Sequence, residues 1–221
     1  MDLVRFFLRP VEWFMKTKAW EWLSGKFLNH ITFRFWGYPA FELDPGLFEI
    51  ERAVRAWHES GKTGVVAFVC TDRASLTGRL IRTVTGGQFS HAGVLRNGWS
   101  FPDMKALHMV AAGMKHEHPV NVFSEADEVR VVGFPMTAEN AALAEGRISN
   151  LLALRDVIRY DFEQRLGNET RIYCSELVLL AIQGLVPPES AIPTEIAGRP
   201  VFTPDSVAAF GELIFERRLK K

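Results

Sequence analysis

The 221-residue sequence predicts an α+β fold, an antiparallel sheet packed against helices. Two observations predict it. The order of elements is strand, helix, several adjacent strands, then helices. The strand-like runs are short, apolar and rich in β-branched residues, whereas the helical runs carry apolar residues three and four apart.

Taken in order, "DPGLFEIERAVRAWHESGK" reads as a helix. Asp44 caps it, Pro45 suits its first turn, and Leu47, Ile50, Val54 and Trp57 recur at helical spacing. "GVVAFVC" (64–70) is a buried strand, and "SLTGRLIRTVTGG" a helix ending at Gly86–Gly87. Strands are expected at 89–95, 106–112, 118–123 and 128–134. Thr137 then caps a long helix, "AENAALAEGRISNLLALRDVI", and "RYDFEQRLGNETRIY" is a loop. A helix opens at Cys174, and a last one follows "FTPDS" after a proline-rich stretch.

Residues 1–43 stand apart from residues 44–221 as an aromatic-rich N-terminal extension. They hold twelve of the 26 aromatic residues and six Lys or Arg, with helical pieces expected on either side of Pro10. Such rings pack onto the main domain or form a membrane-surface or partner-docking strip. A formal net charge of zero argues against a nucleic-acid binder. Cys70 and Cys174 make neither a disulfide framework nor a CxxC metal knuckle. The N-terminus lacks the uninterrupted apolar core of a signal peptide, and no run approaches a membrane span. The expected location is cytoplasmic or peripheral to a membrane, or the cell envelope if a phage particle delivers the protein.

Cys174 is the residue to explain. A thiol at a helix N-terminus meets unpaired N–H groups and a dipole that favour thiolate and can hold an oxyanion. His91 begins one strand and His108 sits in the next, so antiparallel pairing would put them on one face. Thiol, imidazole and a third polar group orienting the imidazole make up the logic of nucleophilic catalysis. The two histidines and the cysteine could instead bind zinc, with His116 or His118 added, but metal-ligand spacing is absent. Ser175 lacks a G-x-S-x-G elbow, and Cys70 reads as an inert core thiol.

"FSHAGVL", "ALHMVAAG" with "HPVNVF", "YDF" at 160–162, "YCSELV" at 173–178 and "FTPDSV" at 202–207 follow one another in a telling order. The set resembles the permuted papain-like cysteine amidases of the NlpC superfamily, the YiiX and YaeF branch, which are related to lecithin:retinol acyltransferase. The resemblance spans about residues 60–210. It implies a circularly permuted papain-like fold for residues 44–221, with Cys174 as nucleophile, His91 as general base and then acid, and His108 orienting His91. Tyr160, Asp161 and Tyr173 would line or support the site, with no cofactor. His108 falls where the amidase branch often carries glutamate and the acyltransferase branch histidine, so a peptide (cell-wall stem peptides in particular) and a lipid acyl group both remain open as substrate. A third class is a non-catalytic binding module on the same fold.

Overall fold

The computed structural model describes residues 45–72, 76–96, 103–124, 126–161, 166–167, 170–187, 192–196 and 198–218. The aromatic extension expected at 1–43 lies outside them. Helix α1 (Pro45–Glu59) buries Ile50, Val54 and Trp57, the apolar stripe read from the sequence. The second residue of strand β1 (Thr63–Asp72) is Gly64, where φ is +149° and a Cβ would lie 2.0 Å from the Phe134 carbonyl oxygen. Only glycine admits that approach. Helix α2 (Leu76–Thr85) leads to β2 (His91–Arg96), β3 (Lys105–Val110) and β4 (Gly113–Glu117).

A single turn of helix, α3 (Val120–Phe123), replaces the strand expected at 118–123. Pro119 precedes it without an N–H to give a sheet ladder, and Phe123 and Ser124 bond back to Pro119 and Val120 carbonyls. Strand β5 (Ala126–Met136) follows, then α4 (Ala138–Ala153), whose N-cap Thr137 accepts from the Asn140 N–H as expected. The expected loop at 159–173 contains a short parallel pair, β6 (Arg159–Tyr160) and β7 (Arg171–Ile172). Helix α5 (Cys174–Ile182) comes next, then a hairpin of β8 (Thr194–Ile196) and β9 (Arg199–Val201). The last helix, α6 (Pro204–Phe210), forms at "FTPDS" as expected, and a strand that the sequence did not predict, β10 (Glu212–Arg218), follows it.

The main sheet has the order β10–β5–β1–β2–β3–β4, every pair antiparallel. Alternation splits it into two faces. Val65, Ala67, Val69, Ala92, Val94, Leu107 and Met109 join α4, α5 and α6 in one core. Val66, Phe68, Cys70, Leu95 and Ala106 form the other, with α1 and Phe123. Helix α5 is apolar nearly all round, with eight of its nine residues buried, so it is the central helix of the first core. Among the described residues no helix is long and apolar enough to cross a membrane.

Candidate active site

Sheet register brings the histidines together. His108 pairs with Gly93 across β2 and β3, which makes His91 its diagonal neighbour on the same face. The rings meet at right angles, and His91 Nε2 lies 2.8 Å from His108 Nδ1. The next register step adds a residue that the sequence did not single out. Ala106 pairs with Glu117 on β4, placing the carboxylate diagonally from His108, and Glu117 Oε1 lies 2.9 Å from His108 Nε2. Asn121 donates to the other oxygen of Glu117 at 3.1 Å. The His108 contact, chiefly, holds the Glu117 carboxyl below its usual range.

These bonds fix the tautomers. An ionised Glu117 only accepts, so His108 Nε2 carries hydrogen and, in the neutral ring, Nδ1 accepts from His91 Nε2–H. His91 Nδ1 is then the unprotonated nitrogen. Phe68 packs against both imidazoles, with ring centroids 6.1 and 6.3 Å away. That packing explains the glycine of "SHAG", since a Cβ on Gly93 would lie 2.6 Å from the Phe68 ring and from the Leu107 carbonyl oxygen. Burial, then the neighbouring His108, lowers the His91 pKa well below the ordinary imidazole value.

Cys174 opens α5 on the opposite face of the sheet, packed with Val69, Ala92 and Val94. Its sulfur accepts hydrogen bonds from the Ala92 and Ser175 backbone N–H groups and from the Tyr160 hydroxyl. Ala92 follows His91, so sulfur and imidazole flank the same two backbone positions at the start of β2. His91 is not among the sulfur's hydrogen-bond partners in the described residues. The expectation of a thiolate also needs correcting. Burial pushes the Cys174 thiol above its ordinary pKa, outweighing the hydrogen bonds from the Ala92 and Ser175 N–H groups and from the Tyr160 and Ser175 hydroxyls that pull it down. Cys70 and Cys174 are each 2% exposed, so burial does not distinguish them.

The supporting residues converge on the start of α5. Tyr173 is buried, and its hydroxyl accepts from the Phe202 N–H at 3.0 Å. Ser175 donates to the Phe202 carbonyl at 2.5 Å. Glu176 accepts from the Gly167 and Tyr173 N–H groups, at 3.0 and 3.4 Å, and burial raises its pKa to about 7. Asp161 is buried, with its N–H on the Ile172 carbonyl, and its charge adds to the upward shifts of Tyr160, Tyr173 and Glu176. Tyr160, Tyr173 and Asp161 therefore gather at the thiol, while His91, His108 and Glu117 form a chain on the other side of β2.

No protein-family model and no curated protein matches the chain. Among solved structures, the crystal structure of metalloprotein yiiX from Escherichia coli O157:H7, of DUF1105, matches with a TM-score of 0.53 and 17% identity. The match covers 72% of this chain and 97% of that one. The fold is YiiX-like. At such identity the likeness concerns the fold, and side chains have to be judged on their own geometry.

YiiX is described as a metalloprotein, but the donor set found here does not suit a metal. Both nitrogens of His108 are engaged, one by His91 and one by Glu117, and Cys174 packs on the other face. Among the described residues no three His, Cys, Asp or Glu side chains converge on a common point. His116 and His118, the other candidates, stay outside the His91–His108–Glu117 chain, and His118 Nδ1 instead accepts from the Val120 N–H.

Proposed function

We propose that the protein is a cysteine-dependent hydrolase of the permuted papain-like type, which cleaves an amide bond through a thioester. Its substrate is a peptide, with cell-wall stem peptides the leading class. The observation that supports this most is the directed hydrogen-bond chain Glu117–His108–His91, whose last residue adjoins Ala92, the backbone N–H donor to the Cys174 sulfur.

The resting pair is a neutral thiol beside a neutral imidazole, since burial raises one pKa and lowers the other. Proton transfer therefore accompanies attack. His91 and Cys174 share no hydrogen bond among the described residues, so the step requires the imidazole to swing past the start of β2. His91 Nδ1 then takes the thiol proton as sulfur bonds to the carbonyl carbon, and the carbonyl π electrons move to oxygen. The Cys174 N–H, which has no intrahelical acceptor at the first position of α5, and the Tyr160 hydroxyl are the donors assigned to the developing oxyanion. His91 then gives its proton to the leaving amine as the C–N bond breaks. Water next loses a proton to His91, attacks the thioester and releases the acid, and sulfur recovers its proton.

A second reading, acyl transfer from a lipid, is favoured by histidine rather than glutamate at position 108. One experiment tests both. The full chain is incubated with an N-acetylated peptide panel and with a short-chain phospholipid, quenched in acid and mapped by mass spectrometry. A peptidyl or fatty-acyl adduct on Cys174, absent in Cys174→Ala, is expected and identifies the donor. No adduct from any donor, with equal turnover by Cys174→Ala, overturns the enzyme reading.

A further inference from the structure

A cavity of about 610 Å³ opens at the end of the sheet where β2 begins, lined by Arg79, Arg82, Gln88, Asp127, Glu128 and Arg218, with Thr71, Thr83 and Gly87 completing its wall. Its volume is that of a small-molecule pocket. Thr71 follows Cys70, the register partner of His91, so strand geometry puts its backbone roughly 6 Å from that of His91. Thr71, Glu128 and Arg218 are cross-strand neighbours and share the parity of Val69, whose face of the sheet packs against the Cys174 helix. Gln88 lies three residues before His91. Its N–H and that of Phe89 are anchored on Asp205, at 2.8 and 3.3 Å, so the loop that walls the cavity also positions the histidine strand.

The charges decide what the cavity takes. Glu128 is already satisfied, accepting from Arg218 at 3.0 Å and from Gln88 at 2.6 and 2.7 Å. Arg79 and Arg82 lie one turn apart on α2 and, among the described residues, take part in no ion pair. Arg82 Nε is buried without a hydrogen-bond partner. Set against Asp127, they leave an excess of one positive charge. Two guanidiniums one turn apart, lining an open cleft without an ion-pair partner among the described residues, are suited to a carboxylate or phosphate oxygen.

We infer that this cavity is a subsite for a singly charged oxyanion of the substrate, a carboxylate or a phosphodiester, held by Arg82 and Arg79. The inference rests on the proposed thiol chemistry, because it assigns the cavity to the substrate that Cys174 attacks. It narrows the substrate to an acyl donor with an anionic group one residue or so from the scissile carbonyl. A peptide carboxylate and a lipid phosphodiester share that chemistry.

Calorimetric titration of the full chain with N-acetylglycine and with dimethyl phosphate separates the two sources. Saturable binding of at least one anion is expected, with affinity lowered tenfold or more in Arg82→Gln and in Arg79→Gln and unchanged in Cys174→Ser. Arg79 is exposed, so Arg79→Gln preserves the fold, which circular dichroism checks. The bound anion is also expected to slow alkylation of Cys174 by N-ethylmaleimide in the wild type and not in the arginine variants. No saturable binding, or binding indifferent to both substitutions, overturns the inference. Binding that leaves alkylation unchanged overturns the assignment to the Cys174 site. A Cys174 inert to maleimide and to every acyl donor counts instead against the thiol enzyme, and the arginine dependence of the titration then decides the cavity alone.

Discussion

Replacing Glu117 by Gln keeps the shape of the side chain and removes the charge that makes it a pure acceptor. His108 Nε2–H then loses its charge-assisted bond, and the tautomer that leaves His91 Nδ1 bare is no longer imposed. Hydrogen bonds to charged groups contribute about 1.5–3 kcal/mol, so kcat for Glu117→Gln is expected to fall about 10- to 100-fold. KM should move little, and thermal stability should fall by less than the full worth of the bond, because the Glu117 side chain is about one-third exposed. Steady-state kinetics beside a melting curve check this, and an unchanged kcat removes Glu117 from the proton path. His91 supplies a second test. Its pKa is lowered well below 6.5, chiefly by burial, and in the proposed mechanism the neutral ring is the base. The acid limb of kcat/KM is therefore expected to have its midpoint below pH 6.5. A midpoint at or above that value contradicts a buried neutral base.

At the scale of elements, Glu176 joins the α5 terminus to the segment around Gly167, and it does so at the cost of burying a carboxyl. Its folded pKa of about 7 stands above the ordinary 4.5, so the folded state binds the proton more tightly than the unfolded chain. The stabilisation is complete below about pH 4.5 and is lost as pH rises through about 7, amounting to about 3 kcal/mol at most. Glu176→Gln is expected to flatten the pH dependence of the urea midpoint between 5 and 8, and a slope unaltered by the substitution rejects the assignment. How far such elements are legible in sequence follows from what fixes them. The common face of His91 and His108 is readable, because two-residue alternation is local. Glu117 is not, since its place beside His108 depends on the turn at 111–112 that sets the β3–β4 register, and "KHEHP" reads as a polar edge. Helix α5 is readable as a helix, but the burial of its first residue depends on Ala92 and Tyr160, distant in sequence. Strand β10 escapes because "ELIFERR" bunches three apolar residues before its charges instead of alternating them.

At the scale of the whole chain, a formal net charge of zero conceals an uneven arrangement. Residues 1–43 carry six Lys or Arg and twelve aromatic rings, a combination suited to an anionic lipid surface, while the sheet and its candidate site belong to the unit Asp44–Lys221. Each basic residue near an anionic membrane contributes on the order of 1 kcal/mol. Six of them, helped by Trp and Phe at the interface, are enough for reversible binding without a spanning helix. The full chain is therefore expected to co-sediment with vesicles containing phosphatidylserine at low salt and to be released as ionic strength rises past the point where the Debye length falls to a few ångströms. A chain beginning at Asp44 should stay in the supernatant while keeping the circular dichroism of an α+β protein. If the shorter chain binds vesicles equally well, the lipid-facing surface lies in the unit Asp44–Lys221. If it unfolds, the aromatic rings are core, and the membrane reading of residues 1–43 falls.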